Sequence, residues 1–382
     1  MPSSLPPATG AWCEGDPLGE RTIATLFTEE PLRLEAGGLL GGADAPIQIA
    51  YETWGARSER GDNVVLLEHA LTGTSHAASH PGHPGSEPGW WEGLIGPGRP
   101  IDTEKFFVIA TNVLGGCQGT TGPASAAPDG RPFGSRFPTL TIRDQVTAEI
   151  ALLDSLGIGS LHGVLGGSMG GMRALEWALL APERVERLVL MACGPAATAE
   201  QIALCHIQSA AIRADAGFRG GDYYDAAPGE GPWRGLAVAR QLGQVTYRSR
   251  EEFRERFGRD HQGQENPLEG GRFAIESYLE HQGDKLVDRF DANSYLVLSR
   301  AMDLHDVGRG RGGIPEALRS VRAPSTVIGF DSDRLYHPDE QMALAEFLPP
   351  AAPLALLSSE FGHDAFLLEL HQLAPLVAAA LA

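Results

Sequence analysis

The chain has 382 residues, 42% of them hydrophobic and 21% charged, which suits one large globular domain with an insertion, or two domains. With 30 basic against 49 acidic residues the formal charge is −19. That excess argues against nucleic acid as a partner, because such affinity comes from Lys and Arg neutralising phosphates.

The first segment, residues 1–20, is rich in Pro and Gly and is expected to be loosely ordered. It has neither the positive charge nor the apolar run of a secretory signal. No apolar stretch reaches the roughly 18 residues of a spanning helix, and the C-terminal "LAPLVAAALA" reads as a docked helix. A cytoplasmic location without membrane contact is expected. Cys13, Cys117, Cys193 and Cys205 form no paired motif and are expected as reduced thiols.

From Pro46 to Gly55 the chain alternates like a strand, and Asn63–Ala70 and Phe106–Asn112 are short apolar runs of the kind that form buried strands. Thr141–Ile158 has helical spacing. "HGVLGGS" reads as strand and turn, "GMRALEWALLAPERV" as a helix stopped near Pro182, and Arg187–Gly194 as the next strand. This alternation predicts an α/β fold with a mostly parallel sheet. The rhythm stops after Gly194 and returns at Ser325–Phe330 and Pro353–Ser359. The expected organisation is a core of residues 21–194 and 320–382, interrupted by a helical insertion at 195–319.

Gly166-Gly167-Ser168-Met169-Gly170 fits Gly-x-Ser-x-Gly. A serine on a strained strand-to-helix turn needs small residues two positions either side, so that strand and helix can approach. Its hydroxyl then stands at a helix N-terminus, where the Met169 N–H can help stabilise an oxyanion. A serine is inert until a base takes its proton. On such a fold the partners follow in the order acid, then histidine. "GFDSDRLYHP" offers Asp331 and Asp333, and "EFGHDAFL" offers His363. His76, His80 and His83 lie in a stretch broken by Pro81, Gly82 and Pro84, with no carboxylate pair nearby in sequence. They read as a solvated loop, and no metal centre is expected. His162 and His206 have no evident partner, and His69 reads as structural.

The ordered motifs "YETWG", "EHALTGTSH", "NVLGGCQGTTGP", "LGGSMGGMRALEW", "HDVGRGRGG", "SDRLY" and "GHDAFL" resemble the homoserine O-acetyltransferases of the α/β-hydrolase superfamily. The resemblance runs from about Ile47 to the C-terminus. It implies an α/β-hydrolase fold with a helical lid, Ser168 as nucleophile, Asp333 as triad acid and His363 as base. It places Leu71 beside Met169 in the oxyanion hole. It gives Arg240 and Asp364 the two charged ends of an amino-acid acceptor. It also implies L-homoserine and acetyl-CoA as substrates, no permanently bound cofactor, a homodimer through the lid, and an early step of methionine biosynthesis. The chain departs from the family pattern at Gly243-Gln244, at His337, and in a long loop around His76–Pro88, all expected near the site entrance or lid.

Three activities fit these residues. An acyl-enzyme can pass its acyl group to a bound alcohol, or lose it to water, and the lid favours the first because water must be excluded. Within acyl transfer, succinyl-CoA as donor and serine as acceptor are the alternatives. A non-catalytic binding module is disfavoured by the ordered serine, acid and histidine.

Overall fold

The computed structural model describes residues 5–80, 82, 86–349 and 354–382. Eight strands form one sheet: β1 (Thr22–Leu26), β2 (Ile47–Trp54), β3 (Val64–Glu68), β4 (Phe107–Thr111), β5 (Gly163–Gly167), β6 (Leu188–Met191), β7 (Ser325–Phe330) and β8 (Leu354–Leu357). Their spatial order is β1-β2-β4-β3-β5-β6-β7-β8. β2 is antiparallel to β1 and β4, and all other pairs are parallel. β3, β5 and β6 are buried along their whole lengths, which is why they appear in sequence as unbroken apolar or glycine runs. The expected mostly parallel α/β sheet is therefore present. β1 goes unnoticed in sequence because its five residues, TIATL, are half-exposed and lack an alternating pattern.

Two helices hold the centre of one sheet face. α1 (Ile142–Ser155) starts at a capping box in which Thr141 and Asp144 satisfy each other's backbone N–H groups. α2 (Met169–Leu180) follows β5 directly. Arg173 of α2 is fully buried and bridges Glu68 at the end of β3 and Glu149 of α1. The Arg173 guanidinium also donates to Thr111 Oγ1 at 3.0 Å, and Trp177 Nε1 donates to Glu149 at 2.9 Å. Burial holds the Glu68 carboxyl well above its usual range, Arg173 opposes that, and Glu149 adds to it. The two carboxyls and the guanidinium thus form one coupled buried cluster.

Between β6 and β7 the described chain adds no strand to the sheet. It forms α3 (Ala199–Ala214), α4 (Trp233–Tyr247), α5 (Arg250–Arg256), α6 (Ala274–Val287), α7 (Ala292–Asp303) and α8 (Ile314–Arg319). α9 (Pro338–Phe347), α10 (Ala365–Leu368) and α11 (Leu370–Leu381) complete the fold. α11 docks through buried Leu373, Val377 and Leu381. Among the described residues no single helix is long and apolar enough to cross a membrane.

Two regions differ from their sequence reading. Residues 5–20 lack regular structure but are held: Gly229 N–H donates to Pro6 O at 2.7 Å, Gly10 N–H to Phe290 O at 3.2 Å, and Trp12 N–H to Cys117 O at 2.9 Å. Backbone pairing substitutes here for the missing apolar content. His76 and His80 are not a solvated pair either. Both turn inward onto the buried carboxylate of Glu52 on β2, a partner too distant in sequence to be noticed. The hydrogen bond that His76 donates to Glu52 is the main cause that raises His76 to about 9. His83 lies outside the described residues. All four cysteines are free.

Replacing Arg173 with Leu leaves two carboxyls buried without a counter-charge. A loss of about 3–5 kcal/mol is expected, read from the urea unfolding curve. Glu68→Gln, which keeps the shape of the buried group and leaves Arg173 its partner Glu149, is expected to cost far less.

Candidate active site

Ser168 sits between β5 and α2 at φ 57°, ψ −127°, a backbone region that side chains other than glycine rarely enter. The surrounding glycines have specific reasons. A Cβ on Gly166 would lie 2.2 Å from Gly170 O, and one on Gly170 would lie 2.0 Å from Glu68 O. One on Gly167 would strike the Phe366 ring at 2.4 Å. Strand and helix can cross this closely only without those atoms, and the crossing lifts the Ser168 hydroxyl above the sheet edge.

His363 follows β8, and its Nε2 lies 2.9 Å from Ser168 Oγ. Its Nδ1 lies 2.8 Å from Asp333 Oδ2, after β7. Asp333 is buried, and its Oδ1 accepts the N–H groups of Leu335 and Tyr336 at 2.9 and 3.0 Å. Asp331, the other candidate acid, is exposed and accepts Ser359 N–H at 3.1 Å, tying the loop after β7 to the loop after β8. Tyr336 stacks on the His363 ring at 5.1 Å. Burial alone would lower the His363 pKa, but the charge and hydrogen bond of Asp333 outweigh it, so the imidazolium is favoured above the ordinary histidine value.

The loop after β3 carries Ala70 and Leu71 over the serine, and both line its cavity. His69 organises this loop. Its Nε2 accepts Val113 N–H at 3.1 Å, which leaves the proton on Nδ1, and Nδ1 donates to Ala70 O at 2.7 Å. Gly73 N–H donates to the same oxygen at 2.8 Å. The Ala70 carbonyl and the Leu71 N–H belong to one peptide plane. Two donors on the oxygen therefore orient and polarise that N–H. Burial lowers His69 to about 3, so it stays neutral and keeps this tautomer.

The cavity above Ser168 encloses ≈ 140 Å³. α3 lines it with Gln201, Leu204, Cys205 and Gln208, a spacing that keeps them on one helix face. α4 contributes Arg240 and Tyr247, two turns apart, with the guanidinium 5.5 Å from the ring centre. Asp364 lies next to His363 and closes the cavity. Burial raises the Asp364 carboxyl, with Arg248, His363 and Arg240 acting against it. Arg248 pairs with Asp364 at 3.0 Å and also holds Glu252. Sequence reasoning passed over Arg248, although it follows Tyr247 directly in "VTYRS".

The cavity thus brings a hydroxyl and a histidine, the latter bonded from behind by Asp333, together with an arginine and an aspartate. The family model for the alpha/beta hydrolase fold matches residues 63–370. A homoserine O-acetyltransferase of Thermobifida fusca is 56% identical over 97% of this chain and 96% of its own length. One of Leifsonia xyli is 54% identical over 95% and 90%. The chain belongs to the homoserine O-acetyltransferase family of the α/β-hydrolase superfamily. A crystal structure of a family member from Bacillus anthracis superposes with a TM-score of 0.85 at 29% identity, covering 94% of this chain and 97% of that one. Esterase E22 also superposes at 0.85, with 28% identity, covering 95% of this chain and all of its own.

The departures from the family pattern lie away from the serine. Gln244 is buried in α4 and donates to Tyr278 Oη at 2.9 Å. His337 is half-exposed at the start of α9, 3.8 Å from Glu200. No described residue of the His76–Pro88 loop lines the Ser168 cavity; Glu52 holds its start against β2. His162 bonds Leu381 O at 2.8 Å and serves the C-terminal docking.

Because catalysis needs neutral His363, the rate is expected to fall on the acid side with a midpoint above the ordinary histidine pKa of about 6.5. Asp333→Asn should move that limb to lower pH and cost roughly 10³–10⁴ in turnover, while Asp331→Asn changes little. The pH dependence of kcat/KM for the acyl donor checks both. His69→Ala, which frees the Ala70–Leu71 peptide, is expected to lower kcat by about 10²-fold with the acceptor KM unchanged. Steady-state kinetics measure that split.

Proposed function

We propose that this protein transfers an acetyl group from acetyl-CoA to the side-chain hydroxyl of L-homoserine through an acyl-Ser168 intermediate, an early step of methionine biosynthesis. The observation that carries the reading is the meeting of Arg240 and Asp364 in one small cavity with Ser168 and His363. A hydrolase acting on simple esters has no need of a cation and an anion placed for a zwitterion.

His363 takes the Ser168 proton as the hydroxyl attacks the thioester carbonyl, and Asp333 steadies the resulting imidazolium. The N–H groups of Met169 and Leu71 receive the oxyanion. Collapse expels the thiol with the proton from His363. Homoserine then binds with its carboxylate at Arg240 and its ammonium at Asp364, where Arg248 already holds one carboxylate oxygen. Its hydroxyl gives a proton to His363 and takes the acetyl group. The net exchange is thioester and alcohol to ester and thiol, and kinetics should be ping-pong. Neither a resident cofactor nor a catalytic metal enters these steps. Exposed Ile202, Ile207 and Val238 on α3 and α4 support a homodimer through the lid, and a cytoplasmic location suits the substrates.

Ester hydrolysis is the second reading, favoured by the likeness to esterase E22. Three measurements separate the two. Wild type mixed with acetyl-CoA should show an acetyl adduct by intact mass, and Ser168→Ala should show none and lose roughly three or more orders of magnitude in turnover. Arg240→Ala and Asp364→Ala are expected to weaken use of homoserine by about 2–5 kcal/mol, while the thiol burst persists and the acyl-enzyme drains to water. Donor and acceptor choice follow from acetyl-, succinyl- and propionyl-CoA tested against L-homoserine, L-serine and water. An acceptor KM and transfer-to-hydrolysis ratio unchanged in both variants would remove the acceptor clamp from this account.

A further inference from the structure

The cluster that reads in sequence as a solvated loop contributes no residue to the Ser168 cavity. Glu52 is almost fully buried, and its Oε2 receives two imidazole nitrogens, His76 Nδ1 at 2.8 Å and His80 Nε2 at 3.0 Å. Those three atoms lie within 4.8 Å of one another. A divalent first-row ion with ligands near 2.0–2.2 Å holds them roughly 3–3.5 Å apart, a separation reachable here by small side-chain rotations.

The outer contacts match what such an ion requires. Metal-bound imidazoles and carboxylates usually have their remaining polar atoms fixed by neighbours. His76 Nε2 faces Glu87 O at 2.7 Å, so its outer N–H is already oriented. Ser75 Oγ donates to Glu52 Oε1 at 2.7 Å and leaves Oε2 to the two histidines. The Trp54 ring stacks on His80 at 4.8 Å and 24°. The cleft over the cluster carries Glu20 and Glu87, carboxylates that favour entry of a cation. Arg21, the cation in the same cleft, is committed to the carbonyls of Leu18 at 2.7 Å and Gln118 at 3.0 Å.

We propose that Glu52, His76 and His80 form a binding site for a divalent transition-metal ion of the zinc class. Two imidazoles and one carboxylate select such ions over magnesium or calcium, which prefer oxygen ligands throughout. The site is structural. It ties the loop that begins at His69, and so carries the Ala70–Leu71 peptide, to strand β2. It takes no part in the acyl-transfer steps.

The test uses the full chain, stripped with a chelator and dialysed. Cobalt(II) is titrated while its visible absorption is followed, and zinc chloride then competes it away. Binding of one equivalent is expected, with a matching rise in the thermal unfolding midpoint. His80→Ala and His76→Ala should each weaken binding at least tenfold and abolish the thermal shift. His80→Ala should keep wild-type turnover in metal-free buffer, which shows that it folds and that the metal is not catalytic. If His76→Ala fails to fold, His80→Ala alone decides. The proposal is overturned if zinc up to 100 µM gives no saturable one-equivalent binding, or if His80→Ala binds as tightly as wild type. Either result would leave the cluster as an ion pair between Glu52 and protonated His76.

Discussion

The closeness with which β5 and α2 cross at Ser168 governs the rest of the molecule. Gly166 and Gly170 let the strand and helix backbones touch, and Ser168 is left at φ 57°. A strained backbone of this kind costs on the order of 1–3 kcal/mol and persists only where its surroundings over-determine it. Those surroundings are visible one turn away. Arg173 of α2 ties the helix to β3 and α1 through Glu68 and Glu149. The residue that positions the nucleophile's helix thus also anchors the strand from which the Leu71 loop departs.

How legible this was in the sequence depended on distance along the chain. Local features could be read directly. Buried parallel strands appear as apolar runs, and Ser325–Phe330 forms a strand over the same residues that the pattern marks. The glycines around Ser168 are a short-range signature of a steric constraint. The order serine, acid, histidine named His363, but Asp331 and Asp333 were equivalent on residues alone, and only the family resemblance favoured Asp333. The structure separates them by exposure: one is buried under two backbone N–H donors, the other faces solvent. Contacts between distant residues were not readable. Nothing near His76 in sequence announces Glu52, and nothing near Asp364 announces Arg248. Both are polar pairs formed by folding, with no periodicity to mark them.

The likeness to both an acetyltransferase and an esterase shows how little of the outcome the backbone decides. The nucleophile, base and acid suit either reaction. Discrimination has to come from the groups that surround the cavity. Here the relevant groups are few: Arg240 leaning on Tyr247, Asp364 beside Arg248, and one face of α3. Arg240 and Asp364 put one basic and one acidic group into that cavity.

The N-terminal segment has a bearing on access. Residues 6–12 run from Gly229 in the insertion, past Phe290, to Cys117 in the core, bonded to backbone at each point. Such a strap ties the helical region to the core at a third place, beyond its two connections to the sheet. Whatever enters or leaves the Ser168 cavity therefore passes between elements joined at three places, one of them made by the first residues of the chain.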